Sequence, residues 1–516
     1  MSKQFSLVVA LLLLISCSQI VYWQNVSGTH YVKPEELLTP GTAAELIDIV
    51  NRARNSGKRV RMTGSGHSYS DVAITDDILL RPTALNNLLT LDNARLHSPY
   101  ASPDTTLVRV QSGITIYDLS KQLEQRGLAL SSMGGHYAQT IVGAAMTGTH
   151  GSGLNYGPIH DQIVSLQVVD QTGNLLQIEP NDGITNAESF PGFLEDDPSI
   201  AVQLIQDDDL FNAMRVSIGS MGIVYAVVVK TEPKFWLREV RTKTTWEEFK
   251  APDGFLDRLL NGRPLKENGP DPDYYEVWFN PYPNSGGKHT LLLTERFKSY
   301  TPLEGDHVRG QPLGNLGEEL LKNFGRPLVW ILNQNPWLAP AVIDASLDSQ
   351  RDDEYIDISY NVFTLGALSE TDAFAVEAAF SLDQTIAAVE RLMELAAIYR
   401  QAGMTHNTSV TLRFVKETEA MIAQTQGRPS MIIEIISLVG SNQVDRLFAN
   451  YQEVFTSEFD ARLHWGLDLG YFQSADEPAR LLPRWNDWLS LYQNYNSLGV
   501  FDGKVTDRLG ISMNPR

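Results

Sequence analysis

The stretch Arg61-Met-Thr-Gly-Ser-Gly-His-Ser-Tyr-Ser-Asp71 decides how this chain is read. Residues 58–63 are strand-like. The run then opens into two glycines one residue apart and presents His67, with Ser68, Ser70 and Asp71 behind it. Without a Cβ, Gly64 and Gly66 let the backbone N–H groups of Gly64, Ser65, Gly66, His67 and Ser68 come close to a phosphate. The hydroxyls of Ser68 and Ser70 add donors. A histidine at the end of such a loop sets a nucleophilic imidazole beside whatever carries that phosphate. The pattern points to a dinucleotide, and an ordinary glycine turn is the alternative for the loop taken alone. It is not a Rossmann fingerprint: Gly64-x-Gly66-x-x-Tyr69 lacks the third glycine, and Val72-Ala73-Ile74 starts no helical pattern.

Two further segments stand beside it. Residues 128–153 crowd small side chains around Ser131-Ser-Met-Gly-Gly135, Gly143-Ala-Ala145 and Thr147-Gly-Thr-His-Gly151, and Ile218-Gly-Ser-Met-Gly-Ile-Val224 precedes an apolar run. In this order and spacing the three segments resemble the FAD-binding domain of the vanillyl-alcohol-oxidase-type (PCMH-type) flavoproteins. The nearest branch is that of the sugar-lactone and alditol oxidases, and the match spans roughly residues 35–235. The resemblance implies FAD attached covalently through His67, with a non-covalent FAD and His67 as a plain loop residue as the alternative. Its ring and ribityl chain would run along Ser131, Ser132, Gly135, Gly143, Thr147 and Gly151, with Ile223 also on the cofactor. Close helix packing is the alternative reading of Gly143-Ala-Ala145. It also implies an α+β protein of two domains: the PCMH-type FAD-binding domain and an antiparallel-sheet substrate-binding cap. The expected boundaries are 26–235 for the first, 236–470 for the second, and 471–516 for a segment returning to the FAD domain.

Length and composition agree with two cores. A chain of 516 residues exceeds what one core usually serves, and 43% hydrophobic with 20% charged residues describes an ordinary globular protein. A net charge of -21 argues against nucleic acid or an anionic membrane as a partner. The acidic patches Glu195-Asp-Asp197 and Asp207-Asp-Asp209 read as solvated loops. At the N-terminus, Lys3 precedes an apolar run over residues 5–15, too short to span a bilayer. It ends in Leu14-Ile-Ser-Cys17, which resembles a bacterial lipobox, so residues 1–17 read as a signal or lipoprotein peptide with Cys17 as the lipid anchor. A plain secretory signal is the alternative. Either implies export, to the periplasm or outer membrane or into the medium. Cys17 is the single cysteine, so no intramolecular disulfide forms.

Local patterns organise the rest. Thr42-x-x-Glu45 predicts a capped helix ending near Gly57, and Thr115 with Ile116, Leu119 and Leu123 predicts another. Residues 107–111 read as a strand, and residues 164–178, turning at Thr172-Gly-Asn174, as a hairpin. Strands are predicted over 274–279, 290–294, 355–360, 408–414 and 431–438. Helical patterns fall within 373–401 and 442–456, and residues 261–350 read as long loops. Trp485, Trp488, Leu491 and Tyr492 recur at helical spacing.

Oxidising an alcohol needs a proton acceptor and a cation to stabilise developing negative charge. The resemblance sets Arg413, in Val410-Thr-Leu-Arg-Phe414, on the arginine of the family's Glu-x-Arg strand, and Leu463-His-Trp-Gly-Leu467 on its His-Trp-Gly-Lys. Thr411 and Leu467 replace the acid and the lysine, which puts polyol recognition in doubt. Glu434, in Met431-Ile-Ile-Glu-Ile-Ile-Ser437, is either a carboxyl of raised pKa that handles the proton or a structural ion-pair partner of Arg413. His464 is the other proton-handling candidate, and Trp465 reads as core. Ser112 lies where related oxidases and dehydrogenases differ near the flavin. No metal site is expected, because His136, His150 and His160 have no further ligand at suitable spacing. The expected reaction is oxidation of a CH–OH group of an alditol or sugar lactone, with electrons passing to O2 or another acceptor. A hydrophobic (sterol-like or aromatic) alcohol is the rival substrate, and a non-catalytic flavin-binding lipoprotein the rival class.

Overall fold

A threonine hydroxyl starts the first helix. In the computed structural model, which describes residues 22–98, 100–102, 106–305, 326–364 and 373–515, helix Ala43–Asn55 begins where Thr42 Oγ1 accepts the N–H of Glu45 at 3.2 Å. Glu45 in turn accepts from the N–H of Gly41, one residue earlier than a standard box. Leu46, Val50 and Ala53 bury one face. The chain continues into Val60–Met62, which pairs in parallel with Ile78–Leu80, itself paired with Glu36–Leu38. The glycine loop leaves the end of Val60–Met62, an edge strand of this three-stranded sheet.

A six-stranded sheet stands beside it, in the order Val202–Gln206, Leu175–Glu179, Ile163–Val169, Ile223–Lys230, Leu107–Gln111, Leu88–Leu89. The hairpin turn is set by Asp170, whose carboxylate accepts the N–H groups of Thr172 and Asn174 at 2.8 Å each. The acidic patches are not simply solvated. Asp196 binds the buried Arg109 and accepts from Tyr225, Glu195 lies 3.6 Å from Arg109, and Asp207 caps helix Asp208–Arg215. A buried guanidinium needs such partners, and it draws these carboxylates inward.

The largest sheet is antiparallel throughout and holds eight strands among the described residues: Asp352–Ile358, Trp236–Thr245, Thr290–Ser299, Tyr274–Phe279, Val410–Val415, Ser430–Leu438, Ala373–Ser381, Arg462–Leu463. Two elements depart from expectation. The helical pattern over 373–401 is a helix only from Thr385–Gln401, because Phe374, Val376 and Phe380 alternate with Ala375, Glu377 and Ala379 and the first part pairs as a strand. Trp236–Thr245 was not anticipated. Its inward positions include Glu239 and Arg241, so the apolar alternation that marks a strand is missing. Within 261–350 the strands expected at 274–279 and 290–294 form, the second running on to Ser299, and the helix Ala339–Ser349 stands where loops were expected; residues 306–325 lie outside the described residues.

The C-terminal helices pack back onto the first sheet. Trp485, Trp488 and Tyr492 stack in succession, and Val500 accepts the N–H of Val60 at 2.7 Å. Asp507 takes Arg59 in a bidentate pair at 2.6 and 2.8 Å, and Arg508 binds Asp71 of the glycine loop at 2.6 and 3.0 Å. Among the described residues no helix is long and apolar enough to cross a membrane.

Candidate active site

Between Gly64 and Ser68 the glycine loop is held by carbonyls and not by its N–H groups. Val26 donates to Gly66 O (2.8 Å), Asn25 to Ser68 O (2.9 Å) and His30 Nε2 to Tyr69 O (2.8 Å), while Tyr69 N–H binds Gly466 O. The N–H groups of Gly64, Ser65, Gly66, His67 and Ser68 have no acceptor among the described residues. Five adjacent unused donors with the chain pinned from behind form a cradle for an anion. Gly66 adopts φ +79°, a conformation glycine tolerates best. Gly64 and Gly143 come face to face: a Cβ on Gly64 would lie 2.8 Å from Thr140 Oγ1 and 3.5 Å from Gly143 Cα.

Three cavities adjoin this loop. One, of about 80 Å³, lies between Gly64, Ser68, Thr140, Gly143, Thr147 and the segment Ile218 to Val224, including Ile223. The next, of about 60 Å³, shares Gly64, Ser68, Gly143 and Thr147, and adds Ser65, Gly66, His67, His464, Gly466 and Leu467. The third and largest, about 160 Å³, begins at His67 and Leu467 and is walled by the large sheet: Trp278, Ala375, Thr411, Arg413, Glu434 and Ile436. His67 and Leu467 therefore stand at the junction of the groove along the glycine loop and the chamber walled by the large sheet.

The chamber is mostly apolar, with a few convergent ionisable groups. Burial pushes the His67 imidazole below its ordinary value and lowers His136, 6.0 Å from it ring to ring, to about 4. Glu434 is raised by burial to about 7, with Arg413 opposing the shift. Arg413 has its nearest carboxylate in Glu276, at 3.6 Å, and not in Glu434. Of the two readings of Glu434, the Arg413 ion pair does not form among the described residues, because strand register places Glu434 beside Thr411 and Glu377, and Glu276 directly across from Arg413. His464 is held by burial at about 4, and its Nδ1 accepts the N–H of Gly466 at 3.0 Å, leaving the neutral ring's proton on Nε2. Glu377 sits behind it, bonded to His150 Nε2 (3.0 Å) and Gln424 (2.7 Å). Burial alone would raise that carboxyl, but His150 and His464 bring it down to about 2.

Of the residues singled out from the sequence, Gly64, Ser65, Gly66, His67, Ser68, Gly143, Thr147 and Ile223 line the groove, and Arg413 and Glu434 line the chamber. His464 lies at the groove's inner end. Ser70 instead donates to Trp465 O at 2.6 Å, tying the loop to the His464 turn. Ser131, Ser132, Gly135 and Gly151 do not line the three cavities. Ser131 bonds Gln162 (3.0 and 3.1 Å) and accepts from Tyr274 OH (2.7 Å), and Ser132 O accepts from Gln162, so this part of the segment forms a seam with the large sheet. Ser112 lines the first of these cavities, which Arg413 and Glu434 do not. Trp465 is core, its Nε1 bonded to Ile422 O at 2.7 Å. Sequence reading missed Tyr69, His136, Gln139, Trp278, Glu276 and Arg61. Arg61 underlies the groove, donating to the carbonyls of Gly219 (2.8 Å), Phe501 (3.0 Å), Ile218 and Val72. Its place in an apolar strand was the available signal. Residues 1–21, with Cys17, lie outside the described residues.

Known proteins resemble this chain in sequence and in fold. Residues 34–179 match the FAD binding domain family, and residues 256–509 the D-arabinono-1,4-lactone oxidase family. An L-gulono-1,4-lactone dehydrogenase of Mycobacterium tuberculosis is 24% identical over 94% of this chain and 98% of its own length. A putative D-arabinono-1,4-lactone oxidase of Neurospora crassa is 32% identical over 50% of this chain and 38% of its own. Cholesterol oxidase from B. sterolicum superposes with a TM-score of 0.70 at 14% identity, covering 95% of this chain and 96% of that one, a likeness of fold alone. Groove, chamber and matched families define an FAD-linked oxidoreductase. The chain is a PCMH-type FAD-binding protein that also carries a D-arabinono-1,4-lactone oxidase domain.

Proposed function

We propose that this protein oxidises a CH–OH group of a sugar lactone or alditol and passes the electrons to O2 or another acceptor. FAD, when bound, supplies the hydride-accepting ring. The amides of residues 64–68 hold its phosphates, and Thr147, Gly143 and Ile223 shape the groove around it. His67, at the groove–chamber junction, forms the covalent link through a ring nitrogen, and its lowered pKa keeps that nitrogen unprotonated and nucleophilic at neutral pH. Arg413 stabilises negative charge developing in the chamber, Glu434 accepts the hydroxyl proton, and His464 orients at the inner end of the groove. Glu434 is preferred over His464 because it shares the chamber with Arg413. The unused amides of residues 64–68, beside a groove that meets the chamber of Arg413 and Glu434 at His67, carry this reading.

The substrate class rests on the names of the relatives, several of them lactone oxidases or dehydrogenases. With Thr411 and Leu467 in place of the expected acid and lysine, Glu434 and Arg413 supply the polar anchors. The test is anaerobic flavin reduction by L-gulono-1,4-lactone, D-arabinono-1,4-lactone, alditols and a sterol. Bleaching by a lactone or alditol is expected, and bleaching by the sterol alone would overturn the substrate class. Acid-denatured protein on a gel should keep flavin fluorescence, which His67→Ala abolishes; a dark wild-type band would remove the covalent link. Export with lipidation at Cys17 belongs to the same proposal, and a Cys17→Ala variant should lose incorporation of labelled fatty acid.

A further inference from the structure

One face of the large sheet carries a row of ionisable side chains across six strands: Arg241 and Glu239, Arg296, Glu276, Arg413, Glu434, Glu377. Register puts Glu239 opposite Arg296, Glu276 opposite Arg413, and Glu434 opposite both Thr411 and Glu377. Residues two apart share a face, so the whole row lies on the side that Trp278, Thr411 and Ile436 turn to the chamber. Contacts link the first five members. Arg241 Nε lies 3.0 Å from Glu239, Glu239 2.7 Å from Arg296 Nε, Arg296 Nη2 2.8 Å from Glu276, and Glu276 3.6 Å from Arg413 Nη2. Burying so many charges is expensive and adds little stability over a packed apolar wall. Their effect falls on the last link. Arg413 keeps a buried Nε–H with no acceptor among the described residues, at the wall of the chamber. Glu434, on its other side, has no ion pair with it within 4 Å among the described residues.

We infer that Glu276 is a positioning residue: anchored by Arg296 and Glu239, it holds the Arg413 guanidinium on its own side, so that Nε–H stays available to a ligand oxygen and Glu434 is left without its counter-ion. The assignment deepens the proposed function, since it rests on Arg413 and Glu434 serving as charge stabiliser and proton acceptor. An Arg413 released from Glu276 would turn to Glu434 and stabilise its carboxylate, removing the proton acceptor's affinity for protons. The groups that face Glu434 from its surroundings are Arg413, Glu276, Glu377, His150 and Tyr69.

The test follows the infrared band of the protonated Glu434 carboxyl across pH in the flavin-loaded protein, the band being identified by its loss in Glu434→Gln. Glu276→Gln should lower the proton affinity of Glu434 by at least about threefold. In an Arg413→Met background most of that change should vanish, because Glu276 acts through Arg413. A change of equal size in both backgrounds, or none in either, overturns the inference. Should Glu276→Gln fail to hold flavin, Arg296→Met serves instead: Glu276, freed for Arg413, should move Glu434 the opposite way, and an unmoved band overturns the inference. The readout needs no turnover, so a failure of every lactone and alditol to reduce the flavin sinks the proposed function and leaves this result standing.

Discussion

Replacing Glu434 by glutamine isolates a single buried proton. Burial raises this carboxyl from 4.5 to about 7. At 1.36 kcal/mol per pH unit, the difference corresponds to about 3 kcal/mol, and water in the chamber brings the expected value to roughly 2 kcal/mol. The sign follows from proton binding. Between pH 4.5 and 7 the unfolded chain has lost this proton and the folded protein has kept it. Folding stability therefore falls as pH rises through that window, by the full amount once the pH exceeds 7. The glutamine variant has no proton to lose. Denaturant unfolding of both flavin-loaded proteins at pH 4, 5, 6, 7 and 8 should give variant and wild type similar stabilities at the acid end. The variant should be more stable by roughly 2 kcal/mol at pH 8. Curves that stay parallel across the range would mean that Glu434 ionises as it does in water, and the raised carboxyl in the chamber would have to be abandoned. The same variant should lose turnover of any lactone or alditol that the wild type oxidises, at every pH, since the amide accepts no proton.

Two other substitutions probe the scaffold. Gly64→Ala places a methyl 2.8 Å from Thr140 Oγ1, so the loop must shift away from the Gly143 segment. Flavin content should drop at least tenfold with circular dichroism and melting temperature little changed, and full flavin occupancy would refute the close approach. Arg61→Met strips donors from four buried carbonyls, including those of Ile218 and Phe501, and should destabilise the protein by about 3 kcal/mol or more in denaturant unfolding. A loss below about 1 kcal/mol would show that those carbonyls find other partners.

Much of the groove was legible along the chain because its determinants are local. Residues 61–71 hold a strand end, two glycines and a histidine in one stretch, and an amide cradle needs only consecutive backbone groups. The chamber is different. Arg413 and Glu434 could be named as single residues, but their relation could not, since an ion pair between adjacent strands depends on register. The pairing of Tyr274–Phe279 with Val410–Val415 gives Arg413 to Glu276, a residue 137 positions away in sequence (413 less 276). Trp236–Thr245 escaped notice for the same reason: its buried Glu239 and Arg241 look like surface residues until Arg296 is set opposite. The seam role of Ser131 and Ser132 likewise required knowing where Gln162 and Tyr274 lie.

By itself, then, the order of residues determined that this protein would carry a phosphate-cradling loop with a histidine at its end, and which family shares it, because short-range backbone geometry is set by neighbouring residues. Only the tertiary structure decided which carboxylate lies against Arg413 and which has a raised affinity for its proton. Those outcomes turn on cross-strand register and on exclusion of water, and neither is a property of any one segment.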